Sequence, residues 1–289
     1  MKNINKILVL TVLSVCPPML SAAPFSTPVS EIRYAATSTA DIDEKNANTE
    51  VGIDELTIKS ILTGTEAMDG KLVFSLDYKY NQFTVKNNQG SKNEDDVHNI
   101  SLAALYIREH GKRRHIFSIA PGLYSDMEEI TADDLDVTAM YNFMYSKSNQ
   151  LQWIVGIGYS RSFGDPTAFP IVNAVIQPNE HWQLTLGFPK TSVSFAPSSH
   201  WHSYAKLQPN GGKWNLDTEG SNDVNLIYSS FEFLAGVERR LANNLWLGIE
   251  AGQSFARELE FSNSSSNSVI GEVDVKDASF IAFNLRYKP

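Results

Sequence analysis

"LQWIVGIGYSRSFGD", residues 151–165, is the stretch whose reading decides the fold. Large apolar or aromatic residues stand at every second position: Leu151, Trp153, Val155, Ile157 and Tyr159. Gln152, Ile154, Gly156, Gly158 and Ser160 lie between them. A period of two sends alternate side chains to opposite faces of a strand. The apolar face has to be hidden from water, by a protein core or by lipid. The rest of the chain decides between the two.

The same period recurs from residue 71 onward. In "KLVFSLDYKY", Leu72, Phe74, Leu76, Tyr78 and Tyr80 oppose Lys71, Ser75, Asp77 and Lys79. "LDVTAMYNFMY" sets Leu135, Val137, Ala139, Tyr141, Phe143 and Tyr145 against Asp136, Thr138 and Asn142. "FEFLAGVER", "LWLGIEAG" and the closing "SFIAFNLRYKP" repeat the pattern, and helical spacing does not compete in any of them. The connections alternate in character. Polar stretches at 86–96, 125–134, 162–170, 189–200, 217–224 and 256–275 are long. Those at 109–114, 146–150, 177–181, 208–213 and 241–244 are short. Eleven connections join about twelve strands, an even number with short turns on one side and long loops on the other. That is the layout of an antiparallel transmembrane β-barrel. Recruiting residues 29–37 and 51–62 as a further pair would make fourteen strands. A soluble periplasmic β-sandwich is the rival, because its strands also alternate. The aromatic, continuous apolar faces and the long–short loop rhythm favour the barrel.

The chain starts "MKNINKILVLTVLSVCPPMLSAAPFS". Lys2 and Lys6, the apolar run Ile7–Val15 and the small residues Ser21-Ala22-Ala23 read as a signal peptide over 1–22, cut after Ala22. Val15 before Cys16, where a lipobox carries a small residue, argues against lipidation. Cys16 is the only cysteine, so the mature chain carries no disulfide, thiolate nucleophile or cysteine metal site. Without the leader, 22 basic residues face 33 acidic ones, a formal charge of −11, which argues against nucleic acid as a partner. No apolar run of about 18 residues follows the leader. Residues 23–69 read as a periplasmic tail or short strands, and 70–289 as the barrel, with both termini in the periplasm.

Within this frame "GIGYSRSFGD" and "FPIVNAVIQPNEHWQLTLGFP", with "FSIAPGLYSD" upstream, resemble an uncharacterised family of Gram-negative outer-membrane β-barrel proteins, a domain of unknown function. The resemblance extends loosely from about residue 70 to the end. It implies an outer-membrane barrel with no established activity, and it transfers no catalytic residue. The last strand is also similar to the C-terminal signal read by the barrel-assembly machinery. It departs in Lys288-Pro289 after Tyr287, and in Ala282 where Gly is common.

Three groups of residues could carry chemistry. "SSHWHS" holds Ser199, His200, His202 and Ser203, and a membrane-surface lipid hydrolase would need such a Ser–His pair. With no carboxylate nearby in sequence, these read instead as polar residues at a strand end. The acidic 125–136 stretch, with Asp126, Glu128, Glu129, Asp133, Asp134 and Asp136, lacks the spacing of a calcium loop and reads as solvated. Alternation points Asp77, Lys79, Glu232, Glu238, Glu250 and Arg286 into the lumen, on strands made neighbours by closure of the last strand on the first. Such charges are paired or wet. They either fill the barrel as salt bridges or line a channel whose acidic wall favours cations. The expected protein is a non-enzymatic outer-membrane barrel, a narrow channel or structural surface protein. It needs no metal or cofactor, and its partners are outer-membrane lipid, lipopolysaccharide and the barrel-assembly machinery.

Overall fold

A computed structural model describes residues 23–43, 49–87, 91–217, 224–264, 266 and 268–288. The leader read over 1–22 lies outside them. Among the described residues sixteen strands form one sheet, antiparallel apart from a single parallel bridge. In chain order they are β1 (Ser30–Thr37), β2 (Ala40–Asp41), β3 (Thr49–Ala67), β4 (Gly70–Asn87), β5 (Lys92–His110), β6 (Arg113–Ser125), β7 (Leu135–Ser148) and β8 (Leu151–Ser160). Then follow β9 (Thr167–Asn179), β10 (Trp182–Phe188), β11 (Thr191–Ser198), β12 (Trp201–Leu216), β13 (Val224–Ala242), β14 (Leu245–Asn263), β15 (Val269–Val275) and β16 (Ala278–Tyr287). β1 pairs with β16 on one side and β3 on the other, so fourteen strands close into a barrel, with β2 and β15 outside that ring. Closure gives every strand of the ring a neighbour on both sides, the condition for strands to cross a bilayer. It also rules out the two open sheets of a sandwich.

The opening stretch is β8, and its apolar face points out of the barrel. Trp153, Val155, Ile157 and Tyr159 are 45%, 51%, 57% and 38% exposed. Ile32, Tyr34, Leu102, Ile119, Val172, Phe233, Ile249, Ile281 and Phe283 continue the outward belt around the wall. Apolar side chains this exposed and this continuous are what lipid covers. The described residues hold no helix long and apolar enough to cross a membrane.

The barrel is the fourteen-strand alternative, its extra pair drawn from 29–37 and 51–62, and it begins at Ser30, not at residue 70. β1 and β3 belong to it because Ile32 and Tyr34 face out while Glu31 and Arg33 turn inward against β3 and β16. Two further readings change. Residues 189–200 are not one long loop, because Thr191–Ser198 forms β11. The "QPNGGK" stretch is not a turn but the middle of the sixteen-residue β12. These two errors cancel in the count. Every connection at one end is two residues long: 68–69, 111–112, 149–150, 180–181, 199–200 and 243–244. Ser30, where β1 starts, and Tyr287, where β16 ends, lie at this turn end, and the longer connections gather at the opposite, loop end.

The wall is uneven. β3, β5, β13 and β14 have 19 residues each, but β10 and β11 have only 7 and 8. At the loop end the tall strands draw together into a smaller ring. Asn215 of β12 pairs directly with Ser125 of β6, and Asp126 N–H donates to the Asn215 carbonyl at 3.3 Å. Opposite, Ile42 bridges Val275, Asp43 N–H reaches Asp274 O at 2.8 Å and Lys276 N–H reaches Asp41 O at 2.9 Å. The narrow ring therefore runs β12, β13, β14, β15, β2, β3, β4, β5, β6 and back to β12. Rings of about eight strands are just wide enough for side chains to fill. This one is filled by Val51, Ile53, Phe83, Val97, Tyr124, Trp214, Leu226, Tyr228, Leu259 and Val275, all nearly inaccessible. The Phe83 ring meets Trp214 and Tyr228 edge-on, at 5.7 and 6.1 Å.

Candidate functional site

Below the apolar fill the fourteen-strand ring is too wide for side chains to close. A cavity of about 580 Å³ remains. Asp77, Lys79, Glu232, Glu250 and Arg286 line it, and Glu238 projects into the lumen on the turn-end side. The last strand does not meet β4, however. β1 and β3 stand between them, and bring Glu31, Arg33, Glu55, Thr57 and Lys59 into the lining. None of these is among the lumen residues read from the sequence, where 29–37 and 51–62 enter only as an optional strand pair. The signal was present in the alternation of Glu31 and Arg33 with Ile32 and Tyr34.

The charges form a network around two carboxylates. Glu250, 2% exposed, accepts from Arg33 Nε at 2.7 Å, Tyr204 Oη at 2.5 Å, Arg286 Nη2 at 3.1 Å and Asn284 Nδ2 at 3.3 Å. Glu238, fully buried, accepts from Arg286 Nη1 and Lys288 Nζ, and lies 3.2 Å from His202 Nδ1. Arg286 also grips Glu31 with Nε and Nη2, at 3.0 and 2.7 Å. Glu55 joins Arg33 at 3.0 Å and Lys79 at 2.7 Å. Lys59 pairs with Asp77 at 2.9 Å. Glu232 is held by the amides of Asn210 and Gln208, at 2.8 and 3.4 Å. Buried charge is tolerated where each group has a partner and the remaining lone pairs are bonded, and the network meets most of that demand.

The N-terminal segment lies against the inner end of the wall. The short 3₁₀ turn Ala23–Phe25 touches β11 and β12. Pro24 is buried, its carbonyl accepts from Lys288 Nζ at 3.3 Å, and Phe25 meets the His202 ring edge-on at 5.7 Å. His202 is thus a buried lumen residue, while His200 sits exposed in the turn beside Ser199 Oγ at 3.1 Å. The two histidines are not brought together. Strand pairing supplies His202 with the carboxylate that sequence proximity did not, since it lies opposite Glu238. Its Nε2 has no hydrogen-bond partner among the described residues, so no hydroxyl stands there as a nucleophile.

The acidic 125–136 stretch is not simply solvated. Asp126 Oδ2 accepts from Asp217 N–H at 2.8 Å, and Asp136 Oδ2 from Arg161 Nε at 2.5 Å. Asp134 is buried and closes a capping box with Thr131. Asp126 thus ties the end of β6 to the end of β12, while Asp134 caps its own turn. Among the described residues no group of three His, Cys, Asp or Glu could hold a metal ion.

The solved structures to which the chain is similar include a NanC porin, 8% identical, with 90% of this chain and 100% of that one covered and a TM-score of 0.38. The Pseudomonas putida toluene transporter TodX is 7% identical, covering 93% and 92%, with a TM-score of 0.40. The transport unit of the Escherichia coli autotransporter AIDA-I is 11% identical over 93% of each chain, with a TM-score of 0.41. No curated protein sequence matches the chain. Residues 36–288 match the family model described as a domain of unknown function, DUF6268, and the chain belongs to that family.

Proposed function

We propose that this chain is a non-enzymatic outer-membrane β-barrel protein whose lumen is a charged chamber sealed at the loop end, not an open pore. The observation that carries this reading is the filled narrow ring. Trp214, 1% exposed, and its aromatic neighbours occupy the lumen where the strands converge, so water and ions find no path there. The outward apolar belt supports the membrane location. The two-residue turns, the start of β1 and the end of β16 then lie in the periplasm, and the long loops face outward. Against the lipid-hydrolase alternative, among the described residues no hydroxyl bonds His202 Nε2, and the exposed Ser199–His200 pair has no ion-paired carboxylate to orient it.

A gated narrow channel is the second reading. It is favoured by the wet part of the chamber, where the Lys59 and Asp77 side chains keep 55% and 40% of their surface exposed. Fractionation with heat-modifiability tests the barrel: the protein should partition with outer membranes and shift on a gel when boiled. Planar-bilayer recording then tests the seal. Wild type is expected to show no steady conductance, and rare discrete openings would favour the second reading. A steady porin-scale current would overturn the sealed chamber.

A further inference from the structure

The sequence leaves two readings of the lumen charges, a filling salt-bridge network or an acidic lining that favours cations. Pairing in the structure argues against the second. Seven basic and five acidic side chains line the chamber. Each of the five carboxylates is engaged: Glu31 by Arg286, Glu250 by Arg33 and Arg286, Glu55 by Arg33 and Lys79, Asp77 by Lys59, and Glu232 by two amides. Two ammonium groups are left over. Among the described residues Lys190 and Lys206 have no carboxylate within 4.0 Å. Lys206 Nζ sits 4.1 Å above the Tyr204 ring, and Lys190 remains exposed to the chamber from the Pro189-Lys190 link between β10 and β11. The two lie within Coulombic reach of each other and of Arg286. Glu31 and Glu250 also act on both lysines, but each is already ion-paired to an arginine, Glu31 to Arg286 and Glu250 to Arg33 and Arg286; like charges gathered in a confined space favour a further anion between them. Ser192 stands opposite Lys206 in the β11–β12 register. Gln208 continues the same inward row of β12 and adds an amide to the lining.

We infer that the chamber is a binding site for a small soluble anion, a carboxylate- or phosphate-bearing solute held by Lys190 and Lys206. This rests on the barrel reading of the proposed function but not on whether the lumen conducts. The cavity of about 580 Å³ admits a molecule the size of citrate or a sugar phosphate and excludes a polymer coil. The ammonium groups act as point charges, so recognition is of charge more than of shape.

The test is calorimetric titration of citrate and of inorganic phosphate into the purified barrel in neutral detergent, with heat-modifiability run on every sample to establish folding separately. Wild type should bind saturably, and added sodium chloride should weaken the binding. Lys190→Met with Lys206→Met should lower affinity at least tenfold while the gel shift persists. Lys190→Arg with Lys206→Arg should retain it within about threefold. Folded wild type that binds neither anion, or a folded double Met variant that binds as well as wild type, would overturn the proposal. Competition by phosphatidylglycerol added to the micelles would assign the lysines to a lipid headgroup and overturn the soluble-anion assignment. Absence of the gel shift in wild type would instead defeat the barrel reading itself. Because neither lysine has a carboxylate partner to orphan, the Met variants should fold. If the pair fails to fold, each single variant, expected to lose about threefold or more, carries the same test.

Discussion

Glu250 ties Arg33 to Arg286 in the lumen network, and its substitution tests whether that network is structural. It is 2% exposed and accepts from Arg33, Arg286, Tyr204 and Asn284. Glu250→Gln keeps the shape but removes the charge and turns one acceptor into a donor facing four donors. Arg33 would keep only Glu55, while Arg286 would keep Glu31 and Glu238. Breaking one partner of a buried pair costs about 3–5 kcal/mol. The surviving partners place this variant at the low end, about 3 kcal/mol. The assay is reversible urea unfolding in phosphatidylcholine vesicles, followed by tryptophan fluorescence and by the heat-modifiable band. Arg33→Met and the double variant complete a cycle, in which groups in contact couple by about 0.5–3 kcal/mol. A loss below about 1 kcal/mol for Glu250→Gln, or additivity of the two changes to within about 0.5 kcal/mol, would refute the argument. Water in the chamber would then be screening the charges.

Three more outcomes follow from the same structure. Ile157→Arg places a charge on the lipid face of β8, where the native side chain is 57% exposed, and should destabilise the barrel by about 2–4 kcal/mol in vesicles; a neutral effect there would mean lipid does not cover that face. Trp214→Ala should cost about 3–5 kcal/mol in urea unfolding and raise ion leakage in planar bilayers, since the seal loses its largest ring; unchanged leakage would place the barrier elsewhere. Gly156→Val should block folding, because a Cβ there would come within 2.1 Å of the Tyr141 carbonyl and disrupt β7–β8 pairing; normal outer-membrane yield would contradict that packing.

The outward faces of β4, β7, β8, β13, β14 and β16 were legible because a period of two is local information. What was lost depended on partners distant in the chain. "QPNGGK" has the composition of a turn, but its glycines serve close approach. A Cβ on Gly212 would strike the Trp214 ring at 2.5 Å, and one on Gly211 would meet the Tyr228 carbonyl at 2.6 Å. Pro209 is tolerated because the β11 ladder ends at Leu207, leaving that stretch of β12 an edge. The six inward charges were likewise readable from alternation, but which charge meets which follows from register. Arg286 pairs with Glu31 because β16 closes on β1, and a sequence reading in which residues 29–37 are only an optional strand leaves that closure open.

The narrow ring makes the strongest claim about transport, and it can be locked. Ser125 and Asn215 face each other where β6 meets β12, both almost fully buried. Bridge partners of this kind lie within the Cα separation that a disulfide spans. The native chain holds a single cysteine, Cys16, within the stretch read as a leader, so Ser125→Cys with Asn215→Cys introduces one defined pair. The pair should oxidise spontaneously in the folded barrel and leave heat-modifiability intact. If the chamber exchanges solute only away from the ring, anion binding at Lys190 and Lys206 should persist at wild-type affinity with the disulfide formed, and reduction should change nothing. If any discrete conductance exists and runs through the ring, oxidation should abolish it and a reductant restore it. Failure of the pair to oxidise in folded protein would show that β6 and β12 do not meet, and the sealed chamber would have to be abandoned together with the ring.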